Sequence, residues 1–229
     1  MAQDNLFFEG EGDAWFRRNR MALNSKDKYK SNDYPSRAIT WICSDQKLGS
    51  VLELGCSNGA RLAFLKGELG DGIKFVGVDA SLEAIEEGKL NFPNLELHHG
   101  LLNHVPLEAS FDCVIVNFVL HWVDRAMLAR SVAEIDRLVK EGGFLILGDF
   151  AVDFPQRRRY HHRQDAEVYT YKQDYSAIFK AMGSYSTLQR LTYNYDNPSL
   201  ATLPLDGSNR AFCEIMTKSS RGLYPDIES

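Results

Sequence analysis

Four short apolar runs recur through the chain, at Val51 to Leu54, Ile73 to Val78, Phe111 to Asn117 and Phe144 to Leu147. Runs of this length, apolar almost without interruption, are what a parallel strand buried on both faces requires. The stretches between them have a different period. Leu62, Leu65 and Leu69 have helical spacing, Ser81 to Asn91 reads as a helix closed by Phe92-Pro93-Asn94, and Met127 to Val139 is periodic. Lys140-Glu141-Gly142-Gly143 reads as a cationic helix end with a glycine stop. Leu95 to His99 alternates as a further strand. Strand and helix units in succession imply an α/β fold with a mostly parallel, doubly wound sheet. After residue 172 the pattern changes: Gln173 to Met182 reads as a helix, Leu188 to Tyr195 alternates, Asn197-Pro198 opens a loop to Gly207, and Arg210 to Thr217 reads as a final strand. Two consecutive strands without a crossover helix require an antiparallel hairpin.

The start of the chain is harder to place by pattern. Residues 1 to 14 are polar apart from Leu6-Phe7-Phe8 and are expected to be a mobile lead-in. Trp15 to Leu23 reads as an amphipathic helix packing its aromatics on the core, or as a lid over a ligand crevice with Arg18 or Arg20 reaching a carboxylate. Asp33-Tyr34-Pro35 starts a helix that continues through Ser36 to Cys43.

Composition narrows the class. The chain has 229 residues, 44% hydrophobic and 25% charged, enough for one full α/β domain and too few for two. A single domain, residues 1–229, is expected, with 1–35 as an N-terminal lid or lead-in and 151–172 as an insertion. A formal net charge of −5 argues against a dedicated nucleic-acid binder. Cys43, Cys56, Cys113 and Cys213 are widely spaced, with no Cys-x-x-Cys pair and no secretory leader before them, which fits a reduced cytoplasm. No run approaches the roughly 18 apolar residues needed to span a bilayer, so no membrane insertion is expected. His98 and His99 fall on opposite faces of an alternating strand, and no metal site is expected there or elsewhere.

Candidate chemistry begins where the first run ends, in Glu53-Leu54-Gly55-Cys56-Ser57-Asn58-Gly59. A dinucleotide fingerprint would place glycine where Ser57 stands, to admit a pyrophosphate. Glu53, two residues before the turn, disfavours a phosphate and suits a cationic ligand. Asp79 closes the second run 24 residues after Gly55, near the spacing of about 20 expected of a carboxylate that holds ribose hydroxyls, although it could equally cap the following helix.

Four blocks stand in order: VLELGCSNG, VGVDAS, FDCVIVNFVLHWVD and VKEGGFLIL. Over residues 36 to 218 they resemble the class I S-adenosylmethionine-dependent methyltransferases of small-molecule type. The resemblance implies a Rossmann-like, seven-stranded, mostly parallel sheet with a terminal antiparallel hairpin and helices on both faces. It implies S-adenosylmethionine as cofactor and S-adenosylhomocysteine as product. The cofactor set carried over is Glu53, Gly55, Cys56, Ser57 and Gly59 in the first block, Asp79 and Ala80 in the second, and Asn117 at the end of the fourth strand. Adenine would meet Leu101 and Leu102, or Asn103; the family often has an acidic or amide residue where Leu101 follows Gly100.

Such a cofactor carries an activated methyl, so the protein mainly holds a nucleophile in line with it. A general base is needed only for a hydroxyl or a protonated amine. His121, placed at the carboxyl edge of the fourth strand, is a candidate base or a packed histidine orienting Trp122. His161 and His162 in the insertion are the other candidates. Tyr160, Tyr169, Tyr171 and Arg159 are expected acceptor contacts. The run Arg157 to Arg163 is either a solvated basic face or the recognition element for a small anionic or sugar-like acceptor, methylated on oxygen or nitrogen. Two other readings stay open, a non-catalytic S-adenosylmethionine-binding protein and an NAD-binding oxidoreductase; Ser57 and Glu53 count against the second.

Overall fold

In the computed structural model, residues 3–25, 28–29, 33–163, 166–196 and 207–220 are described. Helix α1 (Gln3–Leu6) runs through a π-helical turn, Phe7–Glu11, broken at Gly10, into α2 (Gly12–Leu23). The expected mobile lead-in is therefore helical over its described residues. Its polar residues misled the pattern because they are buried and bonded: Gln3, Asp4 and Glu11 are all shielded from solvent. Helix α3 (Tyr34–Asp45) starts where Asp33 accepts the Ser36 N–H at 3.0 Å, with Pro35 in the first turn.

Then come β1 (Ser50–Leu54), α4 (Ala60–Leu69), β2 (Lys74–Asp79) and α5 (Leu82–Asn91), whose first turn is capped by Ser81. Strands β3 (Glu96–His99) and β4 (Phe111–Asn117) follow, then a 3₁₀ turn at Leu120–Trp122, α6 (Leu128–Leu138) and β5 (Val139–Phe150). The hairpin β6 (Gln156–Arg159) and β7 (Tyr169–Lys172) leads through α7 (Ser176–Ala181) to β8 (Tyr185–Asn194) and β9 (Arg210–Lys218). Residues 197 to 206, read as a loop from the sequence, lie outside the described residues.

Seven strands form one sheet in the order β3-β2-β1-β4-β5-β9-β8, with β9 antiparallel to both of its neighbours and the remaining pairs parallel. The predicted fold class, terminal hairpin included, is the one observed. Boundaries differ: α7 begins three residues after the expected Gln173, β8 begins three residues before the expected Leu188, and the end of α6 is displaced. Residues 140 to 143 belong to β5 and not to the end of α6: Val139 already pairs with Phe111, and the register slips before Cys113 pairs with Phe144. Gly142 takes up the slip with φ of 76°.

Alternation sorts the core into two layers. Val51, Phe75, Cys113, Ile115 and Ile146 face Ile39, Ile42, Leu62, Leu65 and Ile85 of α3, α4 and α5. Leu52, Leu54, Val76, Val114, Val116 and Leu147 face Val132, Ile135 and Phe179 of α6 and α7. Both faces of the central strands are thus covered, which is why their sequences read as unbroken apolar runs. The order in which strands are added to the sheet reverses between the parallel β1 and β4, and a crevice opens at the carboxyl ends of these strands.

Candidate active site

The turn after β1 is shaped by Gly55, whose φ is 77°. A Cβ there would stand 2.2 Å from Val119 Cγ2, so the turns after β1 and β4 touch at a point that only glycine fits. The Gly55 and Cys56 amides both donate to the Val78 carbonyl. Asp79, at the end of β2, accepts the Ser57 amide at 2.7 Å and the Ser81 amide at 2.8 Å, one on each carboxylate oxygen. Burial raises its pKa, partly offset by those two N–H groups.

These turns line a cavity of about 640 Å3. Of the residues assigned to the cofactor from sequence, Glu53, Gly55, Cys56, Ser57, Asp79, Ala80, Leu101, Leu102 and Asn117 all line it. Gly59 does not; it initiates α4 with φ of 77° against the Leu95 and Leu97 side chains. Asn103 is absent from the lining too, its amide donating to Asp4 at 2.9 Å.

In the cavity lining, one cation serves two carboxylates. Arg61 is bidentate to Asp33, at 2.9 and 3.0 Å, and also bonds Glu53 Oε1, while its guanidinium lies over the Tyr29 ring. Burial pushes the Glu53 carboxyl up to about 7; Arg61 opposes the shift and the Asp33 carboxylate adds to it. Its second oxygen, Oε2, is buried without a partner, as are Ser57 Oγ and Asn117 Oδ1. Two further unpartnered atoms, Arg125 Nε and Ser131 Oγ, lie outside this cavity, whereas these three belong to residues lining it. Buried acceptors left unpaired are costly, and together they fit a ligand bearing an ammonium and hydroxyl groups.

The amino-terminal segment forms the roof. Asp4, Phe7, Gly12 and Trp15 line the cavity. Gln3 donates to the Trp122 and Tyr169 carbonyls and accepts the Tyr169 amide at 2.8 Å; Asp4 accepts the Asp124 amide at 2.7 Å. Buried Glu11 accepts from the Tyr160 hydroxyl at 3.0 Å and from Arg18 at 2.5 Å. Arg18 thus reaches a carboxylate of its own chain, and Arg20 pairs with Glu87. Pattern reasoning offered residues 1–35 as a lid or lead-in but missed the polar contacts of Gln3, Asp4 and Glu11 that hold the roof. It missed Tyr193 and Tyr195 in the wall as well, although their spacing of two on one strand face was a usable signal.

A second cavity of about 440 Å3 adjoins the first, and Trp15, Trp122 and Tyr195 line both. His121, His161, His162, Tyr160 and Arg159 line it. All three candidate bases therefore converge on one space. The His121 Nδ1 lies 3.1 Å from Asp149 Oδ1, and its backbone N–H donates to the same carboxylate. The His161 and His162 rings are 3.9 Å apart, and burial together with the neighbouring His161 and Arg18 lowers the His162 pKa. Burial and the Glu11 carboxylate push the Tyr160 hydroxyl up to about 12.

Tyr169 and Tyr171 are placed elsewhere. In the β6–β7 register Arg157 pairs with Tyr171 and Arg158 with Thr170. Cross-strand partners share a face, so Thr170 and Lys172 turn to the cavity while Tyr169 and Tyr171 turn away, under Arg157 and Arg125. Among the described residues no cluster of three or more His, Cys, Asp or Glu could hold a metal ion, and no helix is long and apolar enough to cross a membrane.

The strand order, the crevice at the β1–β4 reversal and the glycine turn are those of the Rossmann-like fold that the class I methyltransferases share. Residues 52–147 match the family model described as a methyltransferase domain. A protein of 37.1 kDa in a transposon of Streptomyces fradiae is 32% identical over 115 residues, 46% of this chain and 33% of that one. An uncharacterised methyltransferase of Alkaliphilus oremlandii is 21% identical over 168 residues, 68% of this chain and 76% of its own length. The chain thus spans a third of the first relative and three quarters of the second. Among solved structures, the 1,6-didemethyltoxoflavin-N1-methyltransferase of Burkholderia thailandensis, with S-adenosylhomocysteine bound, superposes with a TM-score of 0.68 at 14% identity, over 94% of this chain and 89% of that one. That likeness is one of fold.

Proposed function

We propose that the chain transfers a methyl group from S-adenosylmethionine, held in the larger cavity, to an oxygen or nitrogen of a small-molecule acceptor held in the smaller one. The observation that carries this reading is the junction at Trp15, Trp122 and Tyr195, where the two cavities meet, with His121 on the acceptor side backed by Asp149.

Glu53 Oε2 and Asn117 Oδ1 would accept from the cofactor ammonium, Asp79 from its ribose hydroxyls, and the Leu101–Leu102 segment would pack on adenine. When bound, the cofactor supplies an electrophilic methyl on a sulfonium that leaves as a neutral thioether. His121 holds its Nδ1–H on Asp149, which leaves Nε2 as the lone pair that takes the proton of an acceptor hydroxyl as that oxygen bonds the methyl carbon. The helical segment 3–23 acts as a lid, excluding water from the larger cavity, and the β6–β7 hairpin walls the acceptor space. Acidic Glu53 and Asp79 in the larger cavity, with Arg61 already neutralised by two carboxylates, disfavour an NAD pyrophosphate there.

Calorimetric titration with S-adenosylmethionine and with NAD, followed by incubation of methyl-labelled cofactor with a panel of small acceptors, tests the reading. Cofactor binding and label in a small-molecule product are expected. A folded protein that ignores S-adenosylmethionine, or that binds it and labels nothing across the panel, removes it.

A further inference from the structure

The smaller cavity has a lopsided chemistry. Its polar lining is dominated by donors: Arg158, Lys172, Arg18 and the imidazoles of the hairpin. Arginine and lysine donate hydrogen bonds and cannot accept them. Among the described lining residues there is no aspartate or glutamate, and the one amide, Asn19, spends its N–H on the Trp15 carbonyl at 2.8 Å. An ammonium needs a carboxylate, and finds none in this lining; the side-chain oxygens present are neutral, those of Thr170, Tyr160, Tyr195 and Asn19. Carboxylates near the cavity have other partners: Asp149 backs His121, Glu11 accepts from Arg18 and Tyr160, and Asp196 accepts from Asn209.

Much of the rest of the lining is aromatic, its rings packed edge-to-face or tilted against one another. Phe150 stands at 76° to His121 with centroids 5.1 Å apart, Trp122 stands at 75° to Tyr160 at 4.8 Å, and Tyr195 is 5.2 Å from Phe150. The cavity they line, about 440 Å3, has room for a flat ring, and aromatic walls gain from one. The cations lie to one side of this aromatic slot: Lys172 Nζ is 3.6 Å from the Phe150 centroid, and Arg158 comes from the facing strand of the hairpin. Burial, and then the Arg158 guanidinium, lowers the Lys172 pKa, with Asp149 and Asp196 pulling the other way. A bound anion would relieve that crowding.

We infer that the acceptor is a planar aromatic compound carrying an anionic group, a carboxylate or phosphate held by Arg158 and Lys172, with its ring in the slot of Phe150, Trp122 and Tyr195 and its nucleophile toward His121. The inference rests on the methyl-transfer reading above and names the substrate class of the same site.

The test uses full-length protein saturated with S-adenosylhomocysteine, whose binding is measured first. The probes are 3- and 4-hydroxybenzoate, their uncharged amides, phenyl phosphate, and glucuronate as an anion without an aromatic ring. Hydroxybenzoate or phenyl phosphate should bind at least about tenfold more tightly than the amides and glucuronate, the factor that one charge-assisted contact supplies. The stronger of the carboxylate and phosphate arms identifies the anion. Arg158→Met and Lys172→Met should each cost about tenfold for the anionic probes and leave S-adenosylhomocysteine affinity unchanged. Arg158 is exposed, so its variant stays informative if Lys172→Met misfolds. Equal binding of acids and amides, tighter binding of glucuronate, or no aromatic anion bound to a protein that holds S-adenosylhomocysteine overturns the inference alone. Failure to bind S-adenosylhomocysteine overturns the underlying methyl-transfer reading with it.

Discussion

Asp149 stands directly behind His121, its Oδ1 3.1 Å from the imidazole Nδ1, and the two side chains are 0% and 4% exposed. The carboxylate also accepts the Phe150 amide at 2.8 Å, so its position is fixed by the backbone of β5 and not by the histidine. His121→Ala and Asp149→Asn should each lower methyl transfer by about 10²- to 10⁴-fold, the usual contribution of a positioned acid or base. S-adenosylhomocysteine affinity should not change. A comparable loss in His161→Ala or His162→Ala, with His121→Ala fully active, would move the base to the hairpin.

Glu53 gives the ligand-free protein a pH signature. Its folded pKa, about 7, lies above the ordinary glutamate value of 4.5 because burial outweighs Arg61. The folded state therefore holds the proton more tightly, and stability present below about pH 4.5 is lost as pH rises to about 7, by up to about 3 kcal/mol. Glu53→Gln should flatten that part of the profile in chemical denaturation at a series of pH values. An ammonium ligand near Oε2 should drive a proton off, so cofactor binding near pH 6.5 should release protons detectable by calorimetry in buffers of different ionisation enthalpy. Equal slopes for wild type and Glu53→Gln would contradict the assignment.

Gly55→Ala should destabilise the fold even without ligand, because the new Cβ meets Val119 and the backbone is held at φ of 77°. The expected cost is about 1 to 3 kcal/mol. Adding Val119→Ala should restore the part owed to the clash and leave the part owed to φ, a separation read from a double-mutant cycle. No recovery would mean that the backbone conformation carries the whole effect.

Tyr160→Phe removes the hydroxyl that bonds Glu11 and leaves a buried carboxylate short of a donor, a loss of about 1 to 3 kcal/mol. Hydrogen exchange should quicken at residues 3 to 11 while the central strands keep their protection. Unchanged exchange in the segment would show that Gln3 and Asp4 hold it without help from the hairpin.

What the sequence made legible follows from where the physics is local. Burial on both faces writes an apolar run, so β1, β2, β4 and β5 could be read directly, and Ser81 and Asp33 announce their helices by bonding the first turn. The lining of the larger cavity was legible for the same reason, since Glu53, Gly55 and Asp79 sit at the ends of recognisable strands. The acceptor side was legible only in part. Tyr160 and His161 were found by composition, but which of Thr170, Tyr171 and Lys172 face the cavity depends on a hairpin register that no single residue encodes. The amino-terminal segment was misread because Gln3, Asp4 and Glu11 look like solvent-exposed residues until their distant partners, Tyr169, Asp124 and Tyr160, are in place.

That segment bonds the turn after β4 through Gln3 and Asp4 and the hairpin through Glu11, and α2 is tied to α5 by Asp13 and Arg17. A molecule lying under it leaves only as fast as those bonds open. Residence time is then a property of the roof, whereas equilibrium affinity is a property of the floor. Two variants with the same Kd can therefore differ widely in how often the spent cofactor is exchanged. Where product release limits turnover, substitutions at Gln3 or Glu11, remote from the transferred methyl, set the steady-state rate.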